Sequence, residues 1–164
     1  MRLINGNLVQ MIANPHDIVL REKIMLGSMQ AGLAFSNAIL GAVHAMSHSL
    51  GGYLDLPHGL CNAALVEHVV AFNFDAAPER FRIVAETFGI DCRGLPPAQV
   101  RGRLVDHLIA FKRAVGFEET LKLHGVGSSD IPFLSQHAMQ DPCILTNPRQ
   151  STQRDVEVVY GEAL

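Results

Sequence analysis

The chain has 164 residues, enough for one domain at about 150 residues per domain. Its formal net charge of −3 excludes a basic nucleic-acid groove or a polybasic membrane patch. With 48% hydrophobic and 18% charged residues it can bury a substantial core, which excludes disorder. Residues 1–13 place Leu3, Ile4, Leu8, Val9, Met11 and Ile12 at helical spacing with no N-cap ahead of them. That abruptness reads as a chain that starts inside an element. Asn14-Pro15 predicts a turn, and Asp17 then caps a helix running through Leu33. Asn37 or Gly41 is expected to interrupt it. A short helix then carries His44 and His48 up to Gly51-Gly52, a C-terminal stop signal. Tyr53 to Gly59 reads as a loop. Residues 60–72 are apolar nearly all round, as a central helix is. Pro78 and Pro96-Pro97 open two further helices, Asp130 to Gln140 forms another, and Thr152 with Asp155 makes a capping box opening the last. No strand alternation, repeat or low-complexity run occurs. The expected fold is all-α, an antiparallel bundle of about seven helices forming one domain over residues 1–164.

Residues 24–54 contain no Asp, Glu, Lys or Arg, a run longer than the roughly 20 apolar residues that cross a bilayer. Ser28, Gln30, Ser36, Asn37, His44, Ser47, His48 and Ser49 interrupt it, and each would need a partner in hydrocarbon. A helix pair buried inside a soluble protein is therefore expected, with no membrane partner. Cys61, Cys92 and Cys143 are widely spaced and odd in number, which suits reduced thiols in a cytoplasmic protein. The N-terminus has no secretory h-region.

Eight histidines are present, and three concentrate in His44-Ala45-Met46-Ser47-His48 and Pro57-His58-Gly59. His44 and His48 stand at i and i+4, on one helical face. The break at Gly51-Gly52 lets His58 fold back toward them. Spacing alone would make all three metal ligands, and neutral imidazole suits Fe²⁺ or Zn²⁺. The plainer alternative is a set of hydrogen-bonded cleft histidines among small residues that serve close packing. His68 reads as structural, Glu67 and Asp55 as possible supporting carboxylates, and His16, His107, His124 and His137 receive no role. No phosphate-binding glycine pattern occurs, and no thiol has a base and an orienting group beside it.

The stretch Ala31-Gly32-Leu33-Ala34-Phe35-Ser36-Asn37-Ala38, the His44-to-Ala63 block with its Gly51-Gly52 and Pro57-His58-Gly59, and the endings Asp141-Pro142-Cys143 and Thr146-Asn147-Pro148-Arg149 resemble the iron-containing (group III) alcohol dehydrogenases. The resemblance covers essentially the whole chain. It implies the C-terminal helical metal-binding domain of an enzyme that interconverts small alcohols with aldehydes or ketones using NAD or NADP. It also implies that His44 and His58 are ligands of Fe²⁺, or of Zn²⁺. His48 matches the family histidine that faces nicotinamide and substrate, a catalytic or positioning role rather than a ligand. The family's other ligands, an Asp and a His of an Asp-x₃-His helix, precede the region matched here, as does its dinucleotide-binding domain. The expectation is thus weak metal binding and no turnover by the 164 residues alone until an N-terminal half is supplied, with an apolar face that favours homo-oligomers. The alternative is a non-catalytic regulatory or interaction module derived from that fold.

Overall fold

Caps and prolines mark several of the helix starts. Asp17 accepts hydrogen bonds from the Val19 and Leu20 amides. Thr152 and Asp155 form the reciprocal capping box. Pro97 enters its helix in the first turn, where a missing N–H costs nothing. The computed structural model describes all residues, 1–164. It contains eight α-helices: α1 (Arg2–Ala13), α2 (Ile18–Ala38), α3 (Ala42–Leu54), α4 (His58–Asn73), α5 (Pro78–Thr87), α6 (Pro97–Ala114), α7 (Ile131–Gln140) and α8 (Gln153–Glu162). Short 3-10 turns occupy Phe74–Ala76, Leu121–His124 and Pro142–Thr146, and there is no strand.

Three boundaries differ from the sequence reading. Asn37 stays inside α2 because its side chain donates to the Leu33 carbonyl one turn back; the interruption runs from Ile39, which has a positive φ of 58°, to Gly41, the other expected position, which is the N-cap of α3. Gly51 and Gly52 do not stop α3. The helix continues to Leu54, where Asp55 takes the left-handed conformation and ends it. A Cβ on Gly51 would sit 3.4 Å from the Leu56 carbonyl, so this glycine admits the returning chain. Finally, His58 opens α4 rather than lying in the loop, because the Pro57 carbonyl already accepts from the Leu60 and Cys61 amides.

The chain forms two compact units, residues 1–39 with 78–117 and residues 40–77 with 118–164. In the first, α1 packs on α2 and α5 on α6. Gly27 lets α1 approach: a Cβ there would meet the Ile4 side chain at 2.9 Å. His107 stacks on Phe88 and brings Nε2 within 2.8 Å of Asn5 Oδ1, a structural role. Only Leu20 and Gly27 of α2 are buried, while Ile18, Met25, Met29, Leu33 and Phe35 are exposed. The uncharged run is therefore not a buried helix pair throughout; α3 buries one face and α2 keeps most of its apolar surface outside. No single helix is long and apolar enough to cross a membrane.

In the second unit α3 packs on α4 and α7, and α8 on α7 and α4. Its core holds Met46, Leu50, Leu65, Val69, Leu134 and Tyr160, all fully buried. The Tyr160 hydroxyl donates to the Met46 carbonyl at 2.8 Å, tying α8 to α3.

Candidate metal centre

The i, i+4 spacing puts His44 and His48 on one face of α3, and the turn at Asp55 to Pro57 brings His58 back to them. The ring centroids of His44 and His58 are 5.2 Å apart, those of His48 and His58 5.1 Å, and those of His44 and His48 6.1 Å. Asn62, one turn beyond His58 on α4, places its Nδ2 3.0 Å from His58 Nε2 and 3.5 Å from His44 Nε2. Its Oδ1 is buried without a hydrogen-bond partner. The Nε2 atoms of His44 and His58 thus lie close to the same amide nitrogen.

The third ring is anchored differently. His48 Nδ1 lies 2.7 Å from Asp141 Oδ2. Asp141 ends α7, and its Oδ1 accepts from the Cys143 amide at 2.8 Å. Burial disfavours the charged carboxylate, yet hydrogen bonds from the Cys143 amide, His48 and the Cys143 thiol outweigh it, holding Asp141 below the usual range. The same surroundings act oppositely on Cys143: burial first, then Asp141, push its thiol up to about 11. Ligand atoms of His48, Asp141 and Cys143 lie within 4.8 Å of one another, a group that could hold a metal ion. On its exposed side His48 borders a groove of about 320 Å³ with Tyr53, Phe133 and His137.

The small residues and the remaining titratable groups find other partners. A Cβ on Gly41 would press to 3.2 Å of Asn147 Oδ1. That oxygen accepts from the Ala42 amide at the start of α3. His68 pairs with Glu67 at 3.7 Å, His137 rests on Phe133 and His124 pairs with Glu119. The carboxylate that meets the histidine cluster is Asp141, neither Glu67 nor Asp55. In the sequence Asp141 stands out only through the Asp141-Pro142-Cys143 resemblance; its link to a residue 93 positions away leaves no local trace. Asn62 and Asn147 lie within the stretches that carry the resemblance, but nothing in their spacing assigns them a role.

The packing of the rings has a pH consequence. Burial, then the neighbouring His58 and His48, lower the His44 pKa, with Asp141 opposing. A histidine depressed in the folded state binds fewer protons there than in the unfolded chain. Its contribution is intact above the ordinary histidine value of about 6.5 and is lost as pH falls through the lowered value. Denaturant titrations in chelator should show stability declining below about pH 6.5, and His44→Gln should flatten that slope. An equal slope in the variant would sink the assignment.

A sequence profile of the Fe-containing alcohol dehydrogenase family, C-terminal, matches residues 1–164. The chain is 35% identical over 163 residues to 1,3-propanediol dehydrogenase of Klebsiella pneumoniae, covering 99% of this chain and 42% of that protein. It is 38% identical over 164 residues to NAD-dependent methanol dehydrogenase of Bacillus methanolicus, covering 100% and 43%. Among solved structures, a 1,3-propanediol oxidoreductase superposes with a TM-score of 0.96 at 35% identity, over 99% of this chain and 43% of that one. An alcohol dehydrogenase from Oenococcus oeni gives 0.95 at 34% identity, again over 99% and 43%. The chain spans about two-fifths of the length of the relatives it matches.

Proposed function

The chain belongs to the Fe-containing alcohol dehydrogenase family, matching its C-terminal part, and from this we propose that it is the metal-binding portion of an NAD(P)-dependent enzyme interconverting small alcohols and aldehydes or ketones. The observation that carries the reading is the convergence of His44 Nε2 and His58 Nε2 on Asn62 Nδ2. The two Nε2 atoms lie near one amide nitrogen, close enough together to share a ligand, and burial with the neighbouring rings lowers the His44 pKa, which favours the neutral form that a metal needs. His44 and His58 would hold Fe²⁺ or Zn²⁺. An ion held by His44 and His58 would supply Lewis-acid polarisation of a substrate oxygen, and a nicotinamide cofactor would supply the hydride chemistry.

This chain's own residues divide the remaining work. Asn62 Nδ2 sits against the same two Nε2 atoms and would give them up to a bound ion. His48, 43% exposed at its side chain, opens on the groove beside Tyr53 and Phe133 and moves a proton at its Nε2. Two neutral imidazoles make an incomplete coordination set, because catalytic sites of this type add a third or fourth ligand, often anionic.

Titration of the full chain with Co²⁺ tests the reading. His44→Ala and His58→Ala should each weaken binding about 10-fold to 100-fold, whereas His137→Ala should not. Unchanged affinity in both ligand variants would overturn the site. A non-catalytic module would bind metal in the same way, but would stay inactive with NAD(P)H and aldehyde even when a relative's nicotinamide-binding half is supplied.

A further inference from the structure

Asp141 lies on a segment far from the three histidines in sequence, yet it alone sets the hydrogen-bond direction at His48. Its two oxygens have separate tasks. Oδ1 accepts from the Cys143 backbone amide at 2.8 Å, which fixes the carboxylate plane. Oδ2 is thereby presented to His48 Nδ1 at 2.7 Å. The carboxyl is largely shielded, with 18% of its side chain exposed, and it heads the 3-10 turn Pro142–Thr146 as N-cap. A carboxylate only accepts hydrogen bonds. A ring nitrogen this close to one must carry the proton.

We propose that Asp141 is a positioning residue that holds His48 as its Nδ1–H tautomer, so that Nε2 faces the groove as a bare acceptor. A neutral imidazole free to choose its tautomer would divide its population and present a donor at Nε2 part of the time. Asp141 removes that choice and fixes the ring plane. It also places a carboxylate, held below its usual range by its hydrogen bonds, against the Nδ1 side of the ring. The consequence for proton transfer rests on the alcohol dehydrogenase reading; the tautomer does not.

The test therefore uses no metal, cofactor or substrate. The full chain, labelled with ¹⁵N-histidine and kept in chelator, is observed at a pH about two units above the ordinary imidazole value of about 6.5. Long-range ¹H–¹⁵N spectra report which ring nitrogen bears the proton, and His48 is assigned by loss of its signals in His48→Gln. The wild-type ring should be protonated at Nδ1. Asp141→Asn should reverse it: the Cys143 amide still demands the oxygen, so the new NH₂ faces His48 and donates to Nδ1, driving the proton to Nε2. Asp141→Glu, which keeps a carboxylate, should restore the Nδ1 proton. A purely structural role for Asp141 would predict no reversal. A wild-type His48 protonated at Nε2, or an Asp141→Asn ring unchanged from wild type, overturns the proposal. If Asp141→Asn does not fold, the wild-type spectrum still decides. Loss of metal binding in the cobalt titration would strike the functional reading and leave this one standing.

Discussion

Asn147→Ala should destabilise the second unit by about 3 kcal/mol, since it strips hydrogen-bond partners from several shielded groups, each worth roughly 1–3 kcal/mol when left unpaired. The Asn147 side chain uses its whole bonding capacity. Its Oδ1 accepts from the Ala42 amide at 3.1 Å and from Asn73 Nδ2 at 2.8 Å. Its Nδ2 donates to Asn73 Oδ1 and to the Arg149 carbonyl, both at 2.7 Å. Truncation takes both of these bonds from the buried Asn73 amide and the side-chain cap from the first residue of α3. Asn147→Asp separates the two effects. It keeps an acceptor at the helix N-terminus, where negative charge is favoured, but sets oxygen against oxygen at Asn73 and Arg149, for a loss of about 1–2 kcal/mol. Denaturant unfolding measures both. Because Ala42 stands two residues before His44, Asn147→Ala should also weaken Co²⁺ binding by about tenfold. Wild-type stability in Asn147→Ala would show that the amide pair carries no net weight.

Tyr160→Ala should cost more, about 3–5 kcal/mol, because the ring is fully buried and its removal leaves a cavity. Tyr160→Phe, which keeps the ring and loses only the 2.8 Å bond to the Met46 carbonyl, should cost about 1 kcal/mol. The ratio matters more than either figure. Nearly equal losses would mean that the hydroxyl, not the packed ring, joins α8 to α3. Unlike Asn147→Ala, Tyr160→Phe should leave Co²⁺ affinity unchanged, since Met46 O lies in the core and not on the histidine face.

Much of the molecule was legible in residue order because its causes are local. Asp17, Thr152 with Asp155, Pro78 and Pro97 each mark a helix start through interactions within one turn. The pairing of His44 with His48 on one face follows from 3.6 residues per turn. Family membership was equally readable, since the histidine block lies in one stretch. Signals whose meaning depends on distant packing were misread or silent. Gly51-Gly52 resembled a stop, yet glycine also serves where a chain returns close to a helix, and the Leu56 carbonyl decides between the two. The apolar α2 resembled a buried helix, and nothing within its sequence reveals how little of it is covered.

By itself, then, the order of residues determined an all-helical chain, the faces its helices present, and a cluster of imidazoles with the chemistry to hold a divalent ion. Tertiary structure alone decided which partner each ring receives. Asn62 gathers His44 and His58 because α4 runs back beside α3; Asp141 reaches His48 because α7 packs across α3. Helix periodicity acts over a few residues and is written in the sequence, whereas a hydrogen bond between residues 93 positions apart exists only when the core closes.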